Sequence, residues 1–225
     1  MRAERRRLGW GQAEAAERLG VSQPYLAMLE SGKRPLTPVL ARKVVGAYGL
    51  PPAELPVPPA FNPAQRVDAQ RLVEDLAKLG YPGFAYVRTG VRGKNPAQVL
   101  LSALGQETLE GRAAEALPWV LLRYWRMDLR WLVFEAKKFD LQNRLGFVAS
   151  LARRLSERTA EAERTQALAQ LESLLDRSRL AREDYFYRPP RNDRERQWLA
   201  QNRPEAAQHW NLLSDLRPEH LRYAG

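Results

Sequence analysis

Residues 12–34, QAEAAERLGVSQPYLAMLESGKR, constrain this chain more than any other stretch. They read as two short helices joined by a tight turn. Ala15, Ala16 and Leu19 fall at i, i+1 and i+4 on one face of the first helix, and Gly20 can take the positive φ that ends it. Ser22 is a good N-cap for the second helix. Pro24 has no N–H, so the Ser22 hydroxyl must accept from Tyr25 instead. Val21 and Leu26 are spaced as a hydrophobic staple, Leu26 and Leu29 face inward, and Gly32 stops the helix.

That pattern leaves Gln23, Pro24, Ala27 and Met28 on the outer face, followed by Lys33 and Arg34. Small and amide side chains near a helix N-terminus, with cations beyond, suit a DNA major groove and its flanking phosphates. LGVSQPYLAMLESGKRP resembles the helix-turn-helix of the phage-repressor-like (Cro/CI, or XRE) DNA-binding domains, over roughly residues 1–50. The matching features are Gln12 opening the first helix, Ala16 in the core, Gly20 in the turn, and the ending Leu29, Glu30, Gly32. The resemblance implies that Gln12 and Ser22 meet phosphates and that Gln23 and Met28 reach base edges. Tyr25, Lys33 and Arg34 complete the expected DNA-binding set, and Arg5 is expected to form a structural ion pair with Glu30. The first helix, within residues 2–8, is about a turn shorter than the family pattern and lacks apolar residues ahead of Arg5. Either that helix is clipped or the true start lies upstream. An αα-hairpin of an ordinary helical protein is the alternative, but turn, caps and basic flank agree on DNA.

The chain has 225 residues, enough for one large or two small domains, and a formal charge of +10. Half of that excess, +5, sits in residues 1–50, where positive charge is therefore about three times denser than in the rest. A DNA contact there would be salt-dependent and partly sequence-independent. The 30 Arg against 6 Lys are explained as well by GC-rich coding as by phosphate recognition. With no cysteine there is no disulfide or thiolate chemistry, which fits a reducing compartment. No run of about 18 apolar residues exists, and MRAERRRLGW lacks a signal peptide's apolar core. The expectation is a soluble cytoplasmic protein with no membrane partner.

Beyond the motif, Thr37-Pro38 opens another helix whose inner face is Leu40, Val44, Val45 and Tyr48, ending at Gly49. Residues 50–63, LPPAELPVPPAFNP, hold six prolines and read as an extended spacer. The expected layout is a DNA-binding domain over 1–50, a linker over 51–63 and a helical domain over 64–225. In the latter, 64–80 reads as a helix with Val67, Leu72, Val73, Leu76 and Leu79 on one face. Residues 81–96 form a loop or short hairpin, with 84–88, FAYVR, the only strand-like piece. Helices are expected over 96–105, 109–117, 118–126 and from 129 to 155, then over 157–180 with Leu168, Leu171, Leu174 and Leu175 inward. A turn at 184–192 precedes a closing pair, 193–202 and 204–216, carrying Trp198 and Trp210. The fold class is all-α.

Catalytic and metal signals are weak throughout. Gly93-Lys94 is followed by Asn95, where a phosphate-binding loop needs Ser or Thr. Glu135 and Lys137 in VFEAKKF have the E-x-K spacing of restriction-type nucleases, with Asp128 upstream. That chemistry needs a strand, whereas the surrounding apolar residues keep helical period. His209 and His220 are the only histidines and show no metal-like spacing. No enzyme activity, cofactor or metal is expected. Five of the six tryptophans (119, 125, 131, 198, 210) lie in the C-terminal region, as core or as an exposed binding surface.

These observations point to a transcriptional regulator that binds double-stranded operator DNA as a homodimer, because one short helix reads only a few base pairs. Residues 117–220, with WLVFEAKKFDLQNRLGFVASLARRL, resemble the C-terminal regions of repressor-type antitoxins paired with nucleotidyltransferase-like toxins. That resemblance implies an autorepressor whose C-terminal domain neutralises a toxin protein. The alternative is a ligand-sensing regulator with a small-molecule pocket and no toxin partner.

Overall fold

A computed structural model describes residues 1–88, 93–159 and 161–223, which divide into two compact units, Met1–Ala60 and Phe61–Gly225. The first holds α1 (Arg2–Arg7), α2 (Gln12–Leu19), α3 (Gln23–Glu30) and α4 (Pro38–Tyr48). Its core is Ala15, Ala16, Leu19, Leu26, Leu29, Leu40, Val44 and Tyr48, the residues that helical period places inward. A 3₁₀ turn, Pro52–Glu54, interrupts the proline-rich stretch expected to be fully extended. Proline's fixed φ suits such a turn as well as an extended chain.

The second unit contains α5 (Ala69–Lys78), α6 (Pro96–Leu104), α7 (Gly111–Arg123), α8 (Leu129–Lys138), α9 (Gln142–Arg158), α10 (Ala162–Asp176), α11 (Asp193–Asn202) and α12 (Glu205–His209). The all-α class holds. Strand pairing among the described residues is one parallel bridge, β1 (Asp184–Tyr185) with β2 (Leu212–Leu213). The 84–88 piece forms no strand: Pro82–Phe84 is a 3₁₀ turn with Phe84 buried. Residues 89–92, the middle of the expected loop, lie outside the described residues.

Several boundaries differ from expectation for identifiable reasons. Helix α5 starts at Ala69 because Asp68 caps it, Oδ2 accepting from the Arg71 N–H at 3.2 Å, while the Val67 N–H goes to Gln106 Oε1 at 3.0 Å. The helices expected at 109–117 and 118–126 are one, α7, with Pro118 inside it. An interior proline costs about 3 kcal/mol. Ala113, Ala114, Ala116, Leu117, Val120 and Leu121 are all essentially buried on either side of it, enough apolar burial to carry the helix through. In α10, Leu168, Leu171 and Leu175 are fully buried but Leu174 is 39% exposed. It precedes Leu175 by one residue and so lies about 100° round the helix from it. The expected helix over 204–216 stops at His209, where Trp210 turns into the core and Asn211 takes φ 53° to start the bridge.

Helix α9 organises this unit. Every residue from Leu145 to Ala152 is buried, and the helix packs against α6, α7, α8, α10 and α12. Its polar residues are fastened as well. Arg144 donates twice to Asp184, at 2.8 and 2.9 Å, and also to the Leu104 and Gln106 carbonyls. Asn143 exchanges two 2.9 Å hydrogen bonds with the backbone of Leu180. On another face, Gly146 leaves room for the Trp210 indole, whose Nε1 donates to Ser150 Oγ at 2.9 Å. A Cβ on Gly146 would lie 2.4 Å from that ring. Gly146→Ala is therefore expected to destabilise the protein by about 1–3 kcal/mol despite alanine's better helix propensity. Gly111→Ala, where a Cβ meets nothing, is the matched control. Urea unfolding of both variants checks this, and equal midpoints would refute the packing argument.

Candidate nucleic-acid interface

The turn between α2 and α3 is built by backbone geometry. Gly20 takes φ 66°, its N–H reaches the Glu17 carbonyl at 3.0 Å, and the Val21 N–H reaches Ala16 at 2.9 Å. These are the paired bonds that close a helix through a left-handed residue. Ser22 then caps α3 as expected, its Oγ accepting from the Tyr25 N–H at 3.4 Å, with Pro24 in the first turn. At the far end Gly32 takes φ 73°, and the N–H groups of both Lys33 and Arg34 bond the Met28 carbonyl at 2.9 and 3.3 Å. The basic pair is thus tied by its backbone to the end of α3. Both side chains are exposed and form no ion pair among the described residues.

A polar cluster holds the helices in register. Arg5 grips Glu30 with two parallel bonds, Nε to Oε1 at 2.7 Å and Nη2 to Oε2 at 3.0 Å, and its Nη1 donates to the Trp10 carbonyl at 2.8 Å. The expected pair is present, and Arg5 is buried. The Arg5 guanidinium holds the Glu30 carboxyl below the usual carboxylate range, with Gln12 and Arg2 helping and burial opposing. Gln12 sits inside this cluster, its Nε2 donating to Glu30 Oε2 at 3.1 Å. Sequence reasoning placed Gln12 only at a phosphate, and it also missed the packing of Leu8 and Trp10 just beyond α1. Trp10 packs edge-on against Tyr48 with ring centres 5.5 Å apart and under the Arg18 guanidinium at 4.3 Å, while Leu8 lies against the core. A lone tryptophan beside a clipped helix was the available signal.

The outer surface of α3 carries Gln23 and Pro24 exposed and Tyr25, Ala27 and Met28 half-buried. Ser22 is exposed beside them. Gln23 with Ala27, and Pro24 with Met28, are spaced i, i+4, so together they form one strip along the helix. The strip leads from neutral amide and apolar groups to the Lys33–Arg34 pair. Sequence-predicted DNA residues from Ser22 to Arg34 are therefore contiguous.

Elsewhere, Glu135 and Lys137 lie on α8, with Glu135 buried, its carboxylate 3.7 Å from Lys138, and Lys137 exposed. They do not share a face. His209 pairs with Asp176 at 3.0 Å across its Nε2, and His220 is exposed on a 3₁₀ turn. Among the described residues no three His, Cys, Asp or Glu side chains cluster as metal ligands, and no helix is long and apolar enough to cross a membrane.

This fold and surface define a helix-turn-helix DNA-binding domain. Residues 1–55 match the helix-turn-helix family model, in line with the phage-repressor-like class and with transcriptional regulation. No curated protein matches the chain, and no solved structure does.

Folding lowers the proton affinity of Glu30, so its pairing stabilises the domain above the ordinary glutamate range near about pH 4.3. That contribution is lost as pH falls below this range toward the depressed folded-state value. Glu30→Gln is expected to lower the thermal midpoint near about pH 7 and to flatten its acid decline. An unaltered acid limb in the variant would show that the pair carries no such linkage.

Proposed function

We propose that the protein is a repressor that binds a two-fold operator as a homodimer through α3, with Gln23 and Met28 at base edges. Ser22, Gln12, Tyr25, Lys33 and Arg34 meet the backbone in this reading. The observation that carries it is the exposed Lys33–Arg34 pair just beyond α3, without an ion pair among the described residues and tied by backbone bonds to the end of the Gln23–Met28 strip. Arg34→Ala is expected to weaken binding to all duplexes alike and to reduce the salt slope by about one. Gln23→Ala is expected to lose about 10–100-fold of the preference for operator over random DNA. Titrations at several salt concentrations with the protein's own promoter decide it. Equal effects of the two variants on both duplexes would mean that α3 is not the reading surface.

The C-terminal domain, in the same proposal, binds and neutralises a toxin protein of the nucleotidyltransferase-like kind, so that repression and neutralisation share one chain. No catalytic step, cofactor or metal enters this reading. Support comes from the resemblance of residues 117–220 to antitoxin C-terminal regions. The outer face of α8 adds to it, where Phe134 is 65% exposed and flanked by Arg130, Lys137 and Lys138. A second reading, ligand sensing without a toxin, is favoured by a cavity of about 460 Å³ lined by Arg66, Asp68, Gln106, Glu107 and Glu110. Purification from the native host is expected to bring down a stoichiometric protein partner. A metabolite that raises the thermal midpoint, with no partner bound, would establish the second reading instead.

A further inference from the structure

The Glu30 side chain has no exposed surface, so its hydrogen bonds come from the protein rather than from bulk water. It accepts three, from Arg5 Nε at Oε1 and from Arg5 Nη2 and Gln12 Nε2 at Oε2. A carboxylate has about four acceptor sites, so one at Oε1 stays open. Arg2, 3.7 Å from Oε2, is too far to bond. The same core holds an idle donor. Tyr48, the last residue of α4, is 1% exposed, and its hydroxyl has no hydrogen-bond partner among the described residues. Such a group is costly, and the edge-on packing of its ring against Trp10 does not need it. Trp10 links the two, because its carbonyl accepts from Arg5 while its ring meets Tyr48. Burial pushes the pKa of the Tyr48 hydroxyl up, the Glu30 carboxylate adds to the rise, and Arg5 opposes it, which places the hydroxyl within the field of both charges.

We infer that the Tyr48 hydroxyl is a reserve donor for Glu30, taking the place of Gln12 when that amide turns to a DNA phosphate. The inference rests on the phosphate contact proposed for Gln12 and deepens it. Gln12 is half-buried at the first position of α2, so its amide can face either the cluster or the surface. Its Nε2 carries two hydrogens. Keeping one on Glu30 and placing the other on a phosphate would hold two anions about 5 Å apart, where like charges repel. Letting go of Glu30 separates them but leaves a desolvated carboxylate one donor short. Tyr48 supplies that donor from α4 without adding a charge. The two Arg5 bonds persist through the exchange, so α3 keeps its angle while Gln12 is released. The exchange also gives a use to a buried hydroxyl that phenylalanine would spare the fold.

Urea unfolding and duplex binding of the full chain, with Tyr48→Phe, Gln12→Ala and the double variant, test this. Binding is read on a random-sequence duplex at low salt, since a phosphate contact is independent of sequence. Tyr48→Phe alone is expected to leave the urea midpoint unchanged or raised, yet to weaken binding about 3–10-fold. Gln12→Ala is expected to weaken binding by a similar factor. Without Gln12 the hydroxyl already serves Glu30 in the free protein. Adding Tyr48→Phe to Gln12→Ala should therefore lower the midpoint and cost no further affinity. A midpoint lowered alike in both backgrounds would mark a merely structural hydroxyl and overturn the inference. Tyr48→Phe that leaves affinity unchanged while Gln12→Ala weakens it would overturn the reserve donor and leave the phosphate contact standing. Gln12→Ala that binds as tightly as wild type would overturn that contact, and this inference with it.

Discussion

The Arg5–Glu30 pair is what the DNA-binding surface depends on. Glu30 is the last residue of α3, so gripping its carboxylate from α1 fixes the far end of that helix. Gln12, on α2, adds a third hydrogen bond to the same carboxylate, so all three helices converge on one side chain. A paired and hydrogen-bonded buried charge favours one arrangement over its near alternatives, because any other leaves a desolvated ion unmatched. That is how an eight-residue helix with only Leu26 and Leu29 buried keeps a defined angle. Apolar contact alone would allow it to roll.

How far the chain could be read from its residues follows from where the information was local. The turn at Gly20, the caps at Ser22 and Thr37 and the inward faces of α2 and α3 depend on neighbours within four positions and are as expected. On α4, Leu40, Val44 and Tyr48 face inward as expected, but Val45 is only half-buried and lies outside the core. The same locality explains the Arg5–Glu30 pair only in part: it came from resemblance, since nothing near Arg5 names a partner 25 residues away. Anchoring of α1 by Trp10 on Tyr48 was illegible for the same reason. Helix existence in the second unit was equally readable, but its ends were not. Pro118 looked like a boundary, and only the burial of the whole α7 face keeps it from being one. Trp198 and Trp210 looked alike as neighbours in sequence, yet one is exposed and the other lies on Gly146. That difference belongs to the packing of α9, which no local pattern records.

The length of α3 sets the demands on everything else. Eight residues rise about 12 Å, so few of its side chains can reach base edges at once. At about 1–3 kcal/mol for each good base contact, such a helix discriminates too weakly to find one site among a genome's competitors. The phosphate contacts proposed for Lys33 and Arg34 would raise affinity without adding choice. Doubling the contacts by symmetry, as in the two-fold binding proposed above, would multiply specificity without lengthening the helix.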